Sequence, residues 1–139
     1  MANYYAFIRT NYFSVTDESK FLEIIDSCLS EDKLEVFTSG DKPKQFGFGC
    51  YGSIYGIPIN GDDLEEVDID AFYEALQNIL ADDDVIIITE IGYEKLRYLL
   101  AHCTIITKME IRFVDLRDEA MNMACEMLDN PDFTTKMDY

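Results

Sequence analysis

Asp68-Ile-Asp-Ala-Phe-Tyr-Glu-Ala-Leu-Gln-Asn-Ile-Leu-Ala-Asp-Asp-Asp-Val-Ile-Ile-Ile-Thr89 changes its hydrophobic period halfway along. In the first half, Ile69, Phe72, Tyr73, Leu76, Ile79 and Leu80 recur every three to four positions, which predicts an amphipathic helix over residues 69–80. Asp68 supplies a side-chain oxygen for its N-cap. Asp82, Asp83 and Asp84 then turn the chain, and residues 85–89 form a nearly continuous β-branched run. Such a run marks a central strand, expected to be buried on both faces.

Working outward, residues 34–38 and 45–54 read as two strands joined by the turn-rich Ser39-Gly40-Asp41-Lys42-Pro43-Lys44, a hairpin. Gly47, Gly49 and Gly52 weaken its second strand and predict a bulge or a close backbone approach. Gly56, Pro58, Asn60 and Gly61 end it in a loop. Residues 4–15 read as the first strand, followed by a helix capped by Thr16 with Phe21, Leu22, Ile25, Cys28 and Leu29 on one face. Beyond residue 89, a turn over residues 92–95 leads to strands at residues 96–107 and 111–114. Asp115 or Asp118 caps a last helix running to about Leu128, with Leu116, Ala120, Met123 and Met127 inward and Met121 exposed; Asn130-Pro131 stops it. The order β-α-β-β-α-β-β-β-α predicts an α+β fold in one domain over residues 1–139. The expectation is a mostly antiparallel sheet of five to six strands, three helices on one face, and two α-β-β units sharing the sheet.

Charge is distributed unevenly. The formal net charge is −17, against a magnitude of about 2–8 that keeps a small domain soluble. Residues 45–94 hold twelve acidic residues and no Lys, Arg or His, and so carry −12 of that total. Six of the twelve, Asp62, Asp63, Glu65, Glu66, Asp68 and Asp70, fall within nine positions. Caps and solvated turns account for some of them, but fifty residues without a base leave their repulsion uncompensated. Direct nucleic-acid binding and anionic membranes are disfavoured, because both need a basic patch. The 13% aromatic content argues against an acidic disordered segment.

Motifs that suggest chemistry fail on context. Gly47-Phe-Gly-Cys-Tyr-Gly52 matches G-x-G-x-x-G, but residues 53–58 cannot open the helix that a dinucleotide pyrophosphate requires. Glu66-x-Asp68-x-Asp70 echoes a calcium loop, yet Ala71 and Gln77 stand where glycine and the closing acid belong. His102 is the sole histidine, and Cys103 beside it on a strand points to the opposite face. No catalytic residue, metal site or cofactor is expected. Cys28, Cys50, Cys103 and Cys125 are widely spaced, as expected of buried thiols in a reducing compartment. With no signal-like or membrane-spanning stretch, a cytoplasmic protein is expected.

A carboxylate array can imitate duplex DNA, which carries about one charge per 1.7 Å of helix axis. The chain therefore reads as a non-enzymatic DNA mimic that occupies the basic groove of a nuclease or DNA-binding effector. Its expected contact residues are Asp62, Asp63, Glu65, Glu66, Asp68, Asp70, Glu74, Asp82, Asp83 and Asp84, with Tyr51 and Tyr55 adding apolar contact, in a monomer or a two-fold dimer. An immunity or antitoxin protein against a basic toxin, and a general interaction module, share much of this physics.

Four segments carry a resemblance: Asn3-Tyr-Tyr5 with Arg9-Thr-Asn-Tyr-Phe13, then Phe48-Gly-Cys-Tyr-Gly-Ser-Ile54, Glu94-Lys-Leu-Arg-Tyr98 and Phe133-Thr-Thr-Lys-Met-Asp-Tyr139. Across nearly its whole length the chain resembles small acidic proteins of bacterial phages and other mobile elements. That setting is similar to the one in which anti-CRISPR and anti-restriction inhibitors occur. The resemblance implies inhibition of a CRISPR or restriction effector, and it implies no active-site residue.

Overall fold

Each strand's two side-chain parities have different fates, and this sorts the molecule into layers. The computed structural model describes residues 4–40, 44–59 and 66–136. In chain order the elements are β1 (Tyr5–Thr10), α1 (Glu18–Ser27), β2 (Leu29–Ser30), β3 (Glu35–Ser39), β4 (Gln45–Tyr51), β5 (Ile54–Pro58) and β6 (Val67–Asp68). They continue with α2 (Ile69–Ile79), β7 (Ile86–Glu94), β8 (Tyr98–Ile106), β9 (Ile111–Asp115) and α3 (Leu116–Met127). Six strands form one antiparallel sheet in the order β3-β4-β1-β7-β8-β9, and β2, β5 and β6 form a small second one. The fold is α+β. The β3–β4 and β7–β8 hairpins that follow α1 and α2 do share the large sheet, with β1 between them.

One face of that sheet, the inner face, carries Ile8, Phe46, Phe48, Ile86, Ile88 and Ile106, all buried. α1 covers it with Phe21, Ile24 and Ile25, and α2 with Phe72, Leu76 and Ile79. Aromatic edges organise the contact: Phe13 meets Phe21 and Phe48 in T-shaped pairs, and Phe48 meets Phe72 the same way at 5.9 Å. Each such ring contributes about 1.5–3 kcal/mol by leaving water. The outer face carries the other parity: Tyr5, Phe7 and Arg9 of β1, Tyr51 of β4, Ile91 and Tyr93 of β7, and Leu99 of β8, opposite one another in register. β7 is central, as expected, but its outer face is only partly covered.

Several boundaries differ from the sequence reading, each for a local reason. β1 stops at Thr10 because the Asn11 side chain takes over the pairing with the start of β7. It donates to the Val85 carbonyl at 2.9 Å and accepts from the Ile87 amide at 2.7 Å. Thr16 does not cap α1; Asp17 does, accepting from the Lys20 amide. Thr16 instead donates its amide to the Ile79 carbonyl at 2.7 Å, closing the end of α2. β4 ends at Tyr51, since Gly52 has φ +97° and turns the chain into β5, where the sequence suggested a loop. Gly56 has φ +125° and lies so close to the Asp68 backbone that a Cβ has no room there. β7 runs on through residues 92–94, and the turn comes at Lys95, with φ 52°.

α3 departs most. Asp115 caps it, accepting from the Arg117 and Asp118 amides. Its stripe of Leu116, Ala120, Met123 and Met127 faces outward, while Met121, Ala124 and Cys125 are half-buried. Leu116 and Glu119 border a groove on the outer face with Ile91, Ala101, Cys103 and Val114, so α3 does not join α1 and α2 on the inner face.

Candidate partner-binding surface

α2 positions the acidic residues. With Phe72, Leu76 and Ile79 turned inward, Asp70 and Glu74 lie one turn apart on its solvent side, a rise of about 6 Å. Glu66 is exposed just before the helix, and Asp82 and Asp83 are exposed in the turn just after it. Eleven residues of helix span about 16 Å, so these five acids make a row, the α2 ridge, from just before the helix to just after it.

Two expected contact residues are engaged elsewhere. The Asp68 carboxylate accepts from the Asp70 amide at 3.0 Å as the N-cap of α2. The Asp84 carboxylate accepts from the Ser14 amide at 2.6 Å and the Val85 amide at 2.8 Å, fixing the entry to β7. Both act in the fold rather than as free surface charges. Asp62, Asp63 and Glu65 lie outside the described residues.

The acids at the two ends of α2 differ in setting: Asp70 sits in the first turn, where negative charge suits the helix dipole, while Asp82 and Asp83 follow the opposite end. A helix C-terminus carries partial negative charge and favours cations, yet α2 has no base in its last turn and is followed by Asp82 and Asp83. Lys108 reaches this end from the β8–β9 turn, but its Nζ donates to the Asn78 carbonyl at 2.9 Å and not to a carboxylate. Four described bases form ion pairs away from α2: Lys20 with Glu23, Lys44 with Glu18, Arg97 with Glu94, and Arg112 with Glu110. Asp70, Glu74, Asp82 and Asp83 share in none of these pairs. Nor do any three His, Cys, Asp or Glu side chains among the described residues converge closely enough to hold a metal ion.

The tyrosines fall in different places. Tyr51 packs edge-on to Phe7 on the outer face, on the other side of the large sheet from α2. It therefore does not join the ridge. Tyr55 is exposed on β5, whose neighbour β6 leads directly into α2. Tyr73 is half-buried on α2 with its hydroxyl 3.5 Å from Thr104 Oγ1, and burial raises its pKa.

His102 and Cys103 do point to opposite faces. His102 pairs across strands with Glu90, Nε2 to Oε1 3.7 Å, and stacks on Phe113 at 4.8 Å. Tyr4 donates to the other Glu90 oxygen at 2.8 Å, and burial together with that bond raises the Tyr4 pKa. Cys103 lies 3.3 Å from Thr89 Oγ1. Burial pushes the Cys28 thiol up to about 12, the opposite of what a nucleophile needs. The G-x-G-x-x-G glycines lie in β4 and the turn after it, and a strand follows where a nucleotide site needs a helix.

Sequence reasoning missed the outer-face aromatic set. The signal was present: β1 is apolar at Tyr5, Ala6, Phe7 and Ile8, so both parities are apolar while α1 and α2 cover only one. Among the described residues, no helix is long and apolar enough to cross a membrane. Comparison of the chain with protein-family models, with curated proteins and with solved structures finds no match.

Proposed function

We propose that this chain is a non-catalytic binding protein whose α2 ridge occupies a basic, nucleic-acid-binding groove on another protein and so inhibits it. The observation that carries this reading is the placement of Asp70, Glu74, Asp82 and Asp83. They are exposed and not ion-paired with any described base, and two of them stand at the helix end where negative charge is least favourable. Asp70 complements the N-terminal end of the helix dipole, but mutual repulsion among Glu74, Asp82 and Asp83 weakens the fold with no ion pair to a described base to offset it. A Lys/Arg groove supplies the missing counter-charge, and steering by the −17 chain speeds association. The resemblance to proteins of mobile elements makes a CRISPR or restriction nuclease the proposed target.

The test is capture of partners on the immobilised protein from lysates of cells carrying such nucleases, at low and high salt, followed by elution with duplex DNA. The expected result is a basic nuclease held at low salt and displaced by DNA. A small basic toxin held in DNA-insensitive fashion indicates an immunity protein instead. Binding indifferent to both salt and DNA rules out the ridge as the contact.

A further inference from the structure

We propose that two copies of this chain associate through the outer face of the large sheet together with the outward stripe of α3. Register lines up two rows on that face. Tyr51, Phe7, Ile91 and Ala101 cross β4, β1, β7 and β8, and Tyr5, Tyr93 and Leu99 cross β1, β7 and β8. Neither row contains a charged side chain. Beside them, Leu116 begins the α3 stripe that continues through Met123 and Met127, and no described residue buries it.

Phe7, Ile91, Tyr93, Leu99, Leu116 and Met123 are 44–64% exposed. At about 100 Å² each they leave ~600 Å², and Tyr5 and Tyr51 bring the patch to ~800 Å², the share one partner gives to a standard interface. An apolar patch of that size is unusual on a monomer. The occupant is a second copy because the patch matches the area one partner gives to a stable dimer, and its rows are where two such chains can meet with least repulsion. The chain repels itself nearly everywhere at −17, but these rows are neutral, and face-to-face packing of two sheets about 10 Å apart turns both α2 ridges outward. Such packing also covers the second face of β7, whose sequence reads as buried on both sides.

This proposal does not depend on what the ridge binds. Its test is the mass of the intact chain by light scattering over a concentration series, in salt sufficient to screen repulsion. The expected mass rises to twice the 16.0 kDa of one chain. Ile91→Lys with Leu99→Lys places charge in both rows at exposed positions and should weaken association at least ~100-fold, with an unchanged circular dichroism spectrum. Leu116→Lys serves as a second variant. Asp70→Lys with Glu74→Lys should leave the dimer intact. One-copy mass for the wild type at every concentration overturns the proposal, as does a dimer that survives Ile91→Lys with Leu99→Lys. A monomer whose face variants lose a captured partner assigns the face to that partner and overturns self-association.

Discussion

The two faces of the six-stranded sheet solve opposite problems. The inner face is sealed by α1 and α2 around interlocked rings and carries on its solvent side the acids of α2, which pair with no described base. The outer face is left open, uncharged along its two rows and rich in aromatic side chains. Burial thus stabilises the chain on one side only, while the charge is concentrated where the helices meet water. The stability of the fold and the features available for binding are carried by different residues, so they can be varied independently.

The largest expected difference between the faces is in stability. Phe72 is fully buried against Phe48, so Phe72→Ala should cost about 3–5 kcal/mol in urea unfolding. Leu99→Ala, on the open face, should cost no more than about 1 kcal/mol in dilute protein. Equal costs would show that the outer face is packed within one chain.

Among the acids a smaller contrast is expected. Asp84→Ala leaves the Ser14 and Val85 amides without their acceptor and should cost about 1–3 kcal/mol. Asp83→Ala, four residues past the end of α2, should be neutral or stabilise by no more than about 0.3–1 kcal/mol. A destabilising Asp83→Ala would give that carboxylate a role in the fold and remove it from the ridge.

Alkali should produce the smallest effect. The folded Cys28 thiol titrates near 12 against an ordinary 9, because burial disfavours the thiolate. The unfolded chain therefore loses this proton first. The contribution is fully present below pH 9 and is lost as pH rises toward 12. Urea midpoints at pH 8 and pH 10 should fall in that order, and Cys28→Ala should reduce the change, leaving the share of Cys50, Tyr4 and Tyr73, whose pKa values burial also raises. Added salt, by screening the net charge, should raise the midpoint at neutral pH.

The contrast between the faces also marks what could be read from residues alone. α2 and its Asp68 cap, the two hairpins and the start of α3 at Asp115 or Asp118 were legible, because hydrophobic period and cap chemistry are local. Asn11 standing in for a strand residue and Thr16 closing a helix other than its own were not, since both bonds join segments more than sixty positions apart. For the same reason the sequence could group ten acids but could not separate Asp84, which holds the amide of Ser14 seventy positions away, from Asp70, Glu74, Asp82 and Asp83. The α3 stripe was legible as a stripe. Its direction was not, because periodicity fixes a face without saying what lies opposite.

The most direct test is a side-by-side capture with the wild type, a ridge variant (Asp70→Lys, Glu74→Lys, Asp82→Lys and Asp83→Lys) and a face variant (Ile91→Lys and Leu99→Lys), each shown to be folded. The ridge variant should lose at least ~100-fold in affinity for the DNA-displaceable partner, while the face variant retains the contact made by each α2 ridge. Undiminished binding by a folded ridge variant would contradict the account.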